Sequence, residues 1–239
     1  MIQIPYGVMK PSSKTISPLQ QSIYQSLKES HVTYHYFTQR EMLFELQLRE
    51  NIVKAAFQLN ESKVNFSGFE NSTFNKEYWE KTEVGYQLKK GKKPSDGIRD
   101  VFINSDQYIF ECVTSIVIIY YKAVLESIQE HYFNYLFSQM IVWAHNYDKD
   151  LGMYSIKKVD LFPGDVVYFY NPDYEKPIWM GENCVYLGND LFYGHGIGVG
   201  TAAEMIEALN SLRKSEATES AYLLPQVTRL DFRYLSRFE

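Results

Sequence analysis

The stretch "YIFECVTSIVIIYYKAV", Tyr108 to Val124, sets one cysteine between a glutamate and an almost unbroken apolar run. Val113, Ile116, Val117, Tyr120, Val124 and Ile128 share one face at helical spacing, and Ile118, Ile119 and Tyr121 carry the apolar surface around the other side. A helix that is apolar nearly all round belongs in a core, so a central helix is expected from Tyr108 or Cys112 to His131. Asn104, Ser105 and Asp106 stand ahead of it as capping types. Cys112 then sits at the head of that helix, and two readings of it are open. A buried cysteine is often simple packing. A thiol at a helix N-terminus beside a base is also the arrangement that favours thiolate and makes a nucleophile.

Outward from this helix, "TQREMLFELQLRENIVKAAFQL" opens with Thr38 as a cap and Glu41 three residues on, then places Leu43, Leu46, Ile52, Val53 and Ala56 near helical spacing. Residues 1–35 mix Pro, Ser and Gln with short apolar clusters, which predicts an irregular arm packed on the rest. From Asn60 to Gly97 short elements and loops are expected, and "SDGIRDVF" suggests a short helix. After "HYFNYLFSQMIVWAHNY" the pattern turns to alternating runs broken by Gly, Asn and Asp: "GDVVYFYNP", "ENCVYLG" and "LFYGHGIGV". "TAAEMIEALNSLRK" has a Thr cap followed by Met205, Ile206, Leu209 and Leu212, the pattern of a late surface helix. Helices before sheet, without a linker-like stretch, indicate an α+β fold in one domain spanning 1–239.

A chain of 239 residues that is 45% hydrophobic and 16% aromatic is neither disordered nor low in core-forming residues. Its net charge of −5 counts against general nucleic-acid binding, which needs a clustered basic surface. The one dense basic run, "KKGKKP" from Lys89 to Pro94, carries the Gly and Pro of a solvated loop. "MIQIPYGVMK" lacks a basic segment followed by a sustained apolar one, so cytoplasmic synthesis without a signal peptide is expected. The run Val113 to Tyr121 is far short of the roughly 20 residues that span a bilayer, so no membrane segment is expected. The two cysteines lack CxxC spacing and read as two free thiols in a reducing compartment.

"GENCVYLGNDLFYGHG" reads as a hairpin turning at Asn189 and Asp190. A two-residue loop would pair Tyr186 with Tyr193, Cys184 with His195 and Asn183 with Gly196. Glu182, Cys184 and Tyr186 would then share a face with Tyr193 and His195, Glu182 and His195 being diagonal neighbours at roughly 7–8 Å. A one-residue change of register would send His195 to the other side.

Three further patterns carry no site. "NYDKDLG" spaces Asn146, Asp148 and Asp150 like the start of a calcium loop, but its sixth position is Leu151 and its twelfth Lys157. "GHGIGVG" lacks the βαβ setting and the ribose-binding acid of a dinucleotide site. His31 and His35 are spaced for one helix face but have no evident partner ligand, and no metal is assigned.

Together, "MLFELQLRENIVKAA", "IRDVF", "YIFECVTSIVIIYY", "GDVVYF", "GEN", "FYGHGIG", "LNSLRK" and "SAYLLPQVTRLD" resemble, in family order from about residue 40 to the C-terminus, the bacterial transglutaminases (protein-glutamine γ-glutamyltransferases) of Bacillus-type spore formers. The resemblance implies a single-domain NlpC/P60, papain-like core with a central helix against an antiparallel sheet, needing neither calcium nor cofactor. By it, Cys112 is the nucleophile, Glu182 its principal partner carboxylate, Glu111 the carboxylate beside it, and His195 an active-site histidine. Trp179 and Trp143 are candidates for apolar walls of the site. The implied reaction joins glutamine- and lysine-bearing proteins of the spore coat by ε-(γ-glutamyl)lysine bonds, carried out by a monomer.

A carboxylate base facing a thiol has a mismatch to overcome. A glutamate and a cysteine in open solvent ionise at about 4.3 and 8.5, a difference of about 4 units, or roughly 5.7 kcal/mol against proton transfer. A narrow, apolar site that raises the glutamate narrows this gap and also keeps water from the thioester. Two rival classes remain: a papain-like thiol hydrolase with His195 as base and water as acceptor, and a structural coat protein with an occluded pocket.

Overall fold

The computed structural model describes residues 1–5, 11, 16–157 and 160–239. Its centre is the expected core helix, which we label α4 in a series of α1 (Pro18–Glu29), α2 (Gln39–Asn60), α3 (Pro94–Ile103), α4 (Cys112–Leu125), α5 (Glu130–Leu136), α6 (Ala202–Asn210) and α7 (Phe232–Leu235). β-Branched Val, Thr and Ile crowd α4 against their own helix propensity. Burial overrides that preference: Val117, Ile118, Ile119, Tyr120 and Tyr121 are all 0% exposed. Each such aliphatic side chain contributes about 1.5–3 kcal/mol by leaving water.

Among the described residues the strands form a seven-stranded antiparallel sheet on one side and a four-stranded one on the other. In the larger sheet the order is Gly198–Thr201, Leu191–Gly194, Gly181–Gly188, Val166–Tyr170, Gln226–Leu230, Met153–Lys157, with Tyr222–Leu223 also paired to Val166–Tyr170. The smaller sheet runs Trp79–Thr82, Gly85–Leu88, Ile141–Trp143, Asn146–Tyr147. α4 is tied to both by adjacent tyrosines. The Tyr120 hydroxyl donates to Thr228 O at 2.9 Å in the larger sheet, and the Tyr121 hydroxyl accepts from Asp148 N at 2.9 Å beside the smaller one. A short parallel pair, Asn65–Phe66 with Ile109–Phe110, leads directly into Cys112 and brings Phe66 to the head of α4.

The α2 helix begins where expected, with Thr38 Oγ1 accepting from Glu41 N at 3.1 Å. It is pinned to the larger sheet by a buried charge network, Arg49 to Glu45 and Asp165, and Arg229 to Asp165, with N···O distances of 2.7–2.8 Å. Removing Asp165 would leave the buried Arg229 guanidinium without a carboxylate and Arg49 with Glu45 alone, a loss of about 3–5 kcal/mol.

Four expectations are corrected. Within the expected irregular arm of residues 1–35, Pro18–Glu29 form a regular helix: α1 has a Ser17/Gln20 capping box and buries Ile23, Tyr24 and Leu27. α4 stops at Leu125 rather than His131, where Asn51 Nδ2 donates to Glu126 O and Ser127 Oγ and draws the chain out of the helix. His31 and His35 lie beyond α1, the second in a strand, and share no helix face. The turn at Asn189 and Asp190 does form, both residues at positive φ (51° and 60°) as the tight hairpin requires. An irregularity between Tyr186 and Gly188, however, inserts one residue, so Tyr186 faces Phe192, Val185 faces Tyr193 and Cys184 faces Gly194. Tyr193 and His195 therefore leave the face of Glu182 and Cys184 and join that of Val185, towards α4.

Candidate active site

Glu111 is the N-cap of α4. Its carboxylate accepts from Val113 N at 2.5 Å, from Thr114 N at 2.9 Å and from the Thr114 hydroxyl, which satisfies the exposed donors of the first turn. The same negative charge reverses the expected effect of the helix end on Cys112. Burial pushes the thiol pKa well up, and Glu182 and then Glu111 push it further, against smaller opposing pulls from the main-chain and side-chain amides of Asn183. The thiol, 6% exposed, is therefore protonated at rest.

Opposite it, on the strand Gly181–Gly188, Glu182 is fully buried. Its Oε1 accepts from Gly196 N at 3.0 Å, while Oε2 has no hydrogen-bond partner. Burial raises this carboxyl to about 8; the Gly196 amide pulls the other way, Glu111 adds to the rise, and the neighbouring Cys112 thiol contributes a smaller downward pull as donor. The thiol is thus close enough to act on the carboxylate without being aligned as a settled bond to Oε2. Glu182 needs glycine beside it on the neighbouring strand, since a Cβ on Gly194 would meet Glu182 Cγ at 2.7 Å and Cys184 Sγ at 2.9 Å.

His195 is half-buried between aromatic rings, 4.9 Å from Phe110 and 5.9 Å from Phe66 by ring centroid. Nδ1 lies 3.1 Å from the Tyr193 hydroxyl and Nε2 3.4 Å from Asn65 O. Burial holds its pKa down at about 4, so the imidazole is neutral at working pH. Its side chain bonds to these groups and its main chain supports Glu182, so it belongs to the wall of the site. Trp179 stacks on Phe66 at 4.8 Å, and both rings press on Gly196, where a Cβ would meet them at 2.9 and 3.0 Å. Trp143 packs instead on Phe69, at 4.7 Å, and on Tyr86.

Of the residues singled out from the sequence, Cys112, Glu111 and Glu182 converge at the head of α4, and His195 adjoins them through its main chain and the ring of Phe110. Phe66, Tyr168 and Asn183 line the same place without having been expected there. Tyr168, opposite Asn183 in the sheet, is pushed to about 12 by burial and then by Cys112, and its hydroxyl covers Gly181. Asn183 Nδ2 stands 3.7 Å from Cys112 Sγ. Strand alternation within "GENC" was the available signal, because it turns Asn183 away from Glu182 and towards α4. Cys184 goes the other way, fully buried with Phe169, Phe192 and Met205, and does not share a face with His195. No three His, Cys, Asp or Glu side chains gather as a cation site among the described residues, and no helix there is long and apolar enough to cross a membrane.

A buried thiol at the head of a core helix, with a buried carboxyl across from it on an antiparallel sheet, is an arrangement suited to acyl transfer through a cysteine. The family model for protein-glutamine gamma-glutamyltransferase matches residues 1–239. Relatives of that name from Bacillus pumilus (strain SAFR-032) and Bacillus mycoides (strain KBAB4) are 43% identical over 216 residues and 40% over 221, covering 89% and 91% of this chain and 87% and 80% of theirs. The solved transglutaminase from Geobacillus stearothermophilus (without C-terminal extension) superposes with a TM-score of 0.81 at 47% identity, over 84% of this chain and 98% of that one. The chain belongs to the protein-glutamine gamma-glutamyltransferase family, and its enzyme class is transglutaminase, an acyltransferase acting on glutamine- and lysine-bearing proteins.

Proposed function

We propose that Cys112 attacks the side-chain carboxamide of a protein glutamine and that Glu182 takes the thiol proton. The observation that carries this reading is the unpartnered, buried Oε2 of Glu182 beside a buried thiol. The ionised form of a carboxyl in that state is poised to receive a proton. With Glu182 raised to about 8, part of the mismatch between a carboxylate and a thiol is removed. The attack forms an Sγ–C bond, and collapse of the intermediate breaks the C–N bond while Glu182 returns the proton to the departing nitrogen. Ammonia leaves and a thioester remains. A lysine amine then resolves it into an isopeptide bond.

In this reading Glu111 anchors α4 and places Cys112, while His195, Phe66 and Trp179 wall the site against water that would hydrolyse the thioester, and Trp143, packed on Phe69 and Tyr86, is not part of that wall. The core is of the NlpC/P60, papain-like kind in one domain spanning 1–239; α4 packed on an antiparallel sheet supports it. The reaction needs no calcium, because thiol, carboxylate and amide donors supply nucleophile, base and charge stabilisation. The substrates are proteins of a bacterial spore coat, where a monomeric enzyme made in the cytoplasm acts.

The test incubates the protein with a glutamine-containing protein and a labelled primary amine, with and without chelator. Equal incorporation in both is expected. Deamidated product without label would point instead to a thiol hydrolase, absence of any product to a structural coat protein, and dependence on calcium would overturn the metal-free mechanism.

A further inference from the structure

Glu111, and Glu182 in its ionised form, set negative charge beside the sulfur, and acyl transfer builds a further negative charge, on the carboxamide oxygen, within the same small space. Neutral donors must meet that oxygen, and two of them face Cys112. One is the Asn183 side chain, whose Nδ2 lies 3.7 Å from Sγ and whose own main-chain amide also pulls the thiol pKa down. The other is the main-chain N–H of Cys112. Glu111 caps Val113 and Thr114 but leaves the Cys112 amide, at the positive end of α4, with no acceptor among the described residues.

We propose that the Asn183 side-chain amide and the Cys112 main-chain N–H form the oxyanion hole, with Asn183 a catalytic residue; this rests on Cys112 being the nucleophile. A donor 3.7 Å from the attacking sulfur is within reach of the oxygen borne by the carbon that sulfur attacks, and such donors act at about 2.7–3.1 Å from the oxyanion. In the resting enzyme the Nδ2–H groups lean on the sulfur. As the Sγ–C bond forms and the carbonyl π pair moves to oxygen, they pass to the oxygen, while the thiol proton goes to Glu182. Collapse returns the pair to the carbonyl, expels nitrogen with the Glu182 proton as ammonia, and releases the donors. The backbone places Asn183 rigidly, because it pairs with Tyr168 in the middle of the larger sheet.

The test compares wild type with Asn183→Ala and with Asn183→Asp, which keeps the shape but puts an acceptor where the donor stood. Three quantities are read: kcat and KM for amine incorporation, and the pH midpoint of Cys112 alkylation by iodoacetamide, followed by mass spectrometry. Expected are a fall in kcat of about 10²–10³ in both variants, KM within about threefold, and in Asn183→Ala an alkylation midpoint that moves too little to account for the loss; in Asn183→Asp the added carboxylate raises that midpoint, and the fall in kcat is read above it. Circular dichroism confirms folding, and the Asp variant carries the test if the Ala variant unfolds. A kcat within about fivefold of wild type in either folded variant overturns the proposal. So does a loss that disappears at a pH high enough to ionise the thiol, since Asn183 would then serve the thiolate alone. Cys112→Ala in the same assay separates the two levels: activity retained there removes the nucleophile itself, whereas an inactive Cys112→Ala with an active Asn183→Ala removes only the oxyanion donor.

Discussion

Glu182 occupies the space that a side chain on Gly194 would fill, with Glu182 Cγ only 2.7 Å from where that Cβ would be. Adding the methyl forces the carboxylate off the Gly196 amide and away from Cys112. Misplacement of a reacting group by about 1 Å can cost about 10²-fold, so Gly194→Ala is expected to lower kcat by about that factor in a protein that still folds. Steady-state amine incorporation measures it. A wild-type kcat would show that the carboxylate position is immaterial.

The pH dependence follows from the same carboxyl. With its pKa raised to about 8, Glu182 is mostly protonated at neutral pH, and the base form grows as pH increases. kcat should rise along a limb with an apparent midpoint near 8, belonging to the Cys112–Glu182 pair as a unit. Glu182→Gln keeps size and hydrogen bonding but cannot take the proton. It should lose about 10² or more and flatten that limb.

Glu111 and His195 should matter less and differently. Glu111→Gln weakens a cap, an effect of about 0.5–2 kcal/mol on stability, and should reduce turnover less than Glu182→Gln. Glu111→Gln/Glu182→Gln together should leave much less activity than either alone if Glu111 partly substitutes as base. His195→Ala removes a neutral ring that bonds to Tyr193 and Asn65, so a milder loss is expected. An inactive His195→Ala beside a double glutamine variant of normal rate would hand the base role to histidine.

Much of this arrangement was legible because its determinants are local. Thr38 with Glu41, Thr201 with Glu204 and the pair Asn189–Asp190 act within a few residues, and α2, α6 and the tight turn lie where those signals put them. The apolar run after Cys112 was equally plain. What escaped depends on contacts distant in sequence or on one extra residue. α4 ends because Asn51, on α2, takes the groups after Leu125. The insertion near Leu187 shifts the hairpin by one and moves His195 to another face. α1 hides among Ser and Gln because only three of its side chains are buried. Glu111 has chemistry suited to a base, yet the helix end claims its oxygens as a cap.

Burial of Glu182 should also be visible in stability. Its folded pKa, about 8, lies above the ordinary 4.5, so the folded state holds the proton more tightly than the unfolded chain. Its contribution is complete below pH 4.5 and is lost as pH rises towards and through about 8. The full shift corresponds to at most about 5 kcal/mol. Wild-type Tm should fall between about pH 5 and 9 by more than that of Glu182→Gln, measured by calorimetry in matched buffers. Parallel falls in the two proteins would mean that Glu182 is ionised throughout.

An acyl group carried on Cys112 can be trapped on that side chain. A glutamine-containing peptide is mixed with the enzyme without amine, quenched in acid, digested and read by mass spectrometry. An adduct of the peptide less ammonia is expected on the fragment bearing Cys112, present in Cys184→Ser and absent in Cys112→Ala. An adduct on Cys184, or amine incorporation by Cys112→Ala, would contradict it.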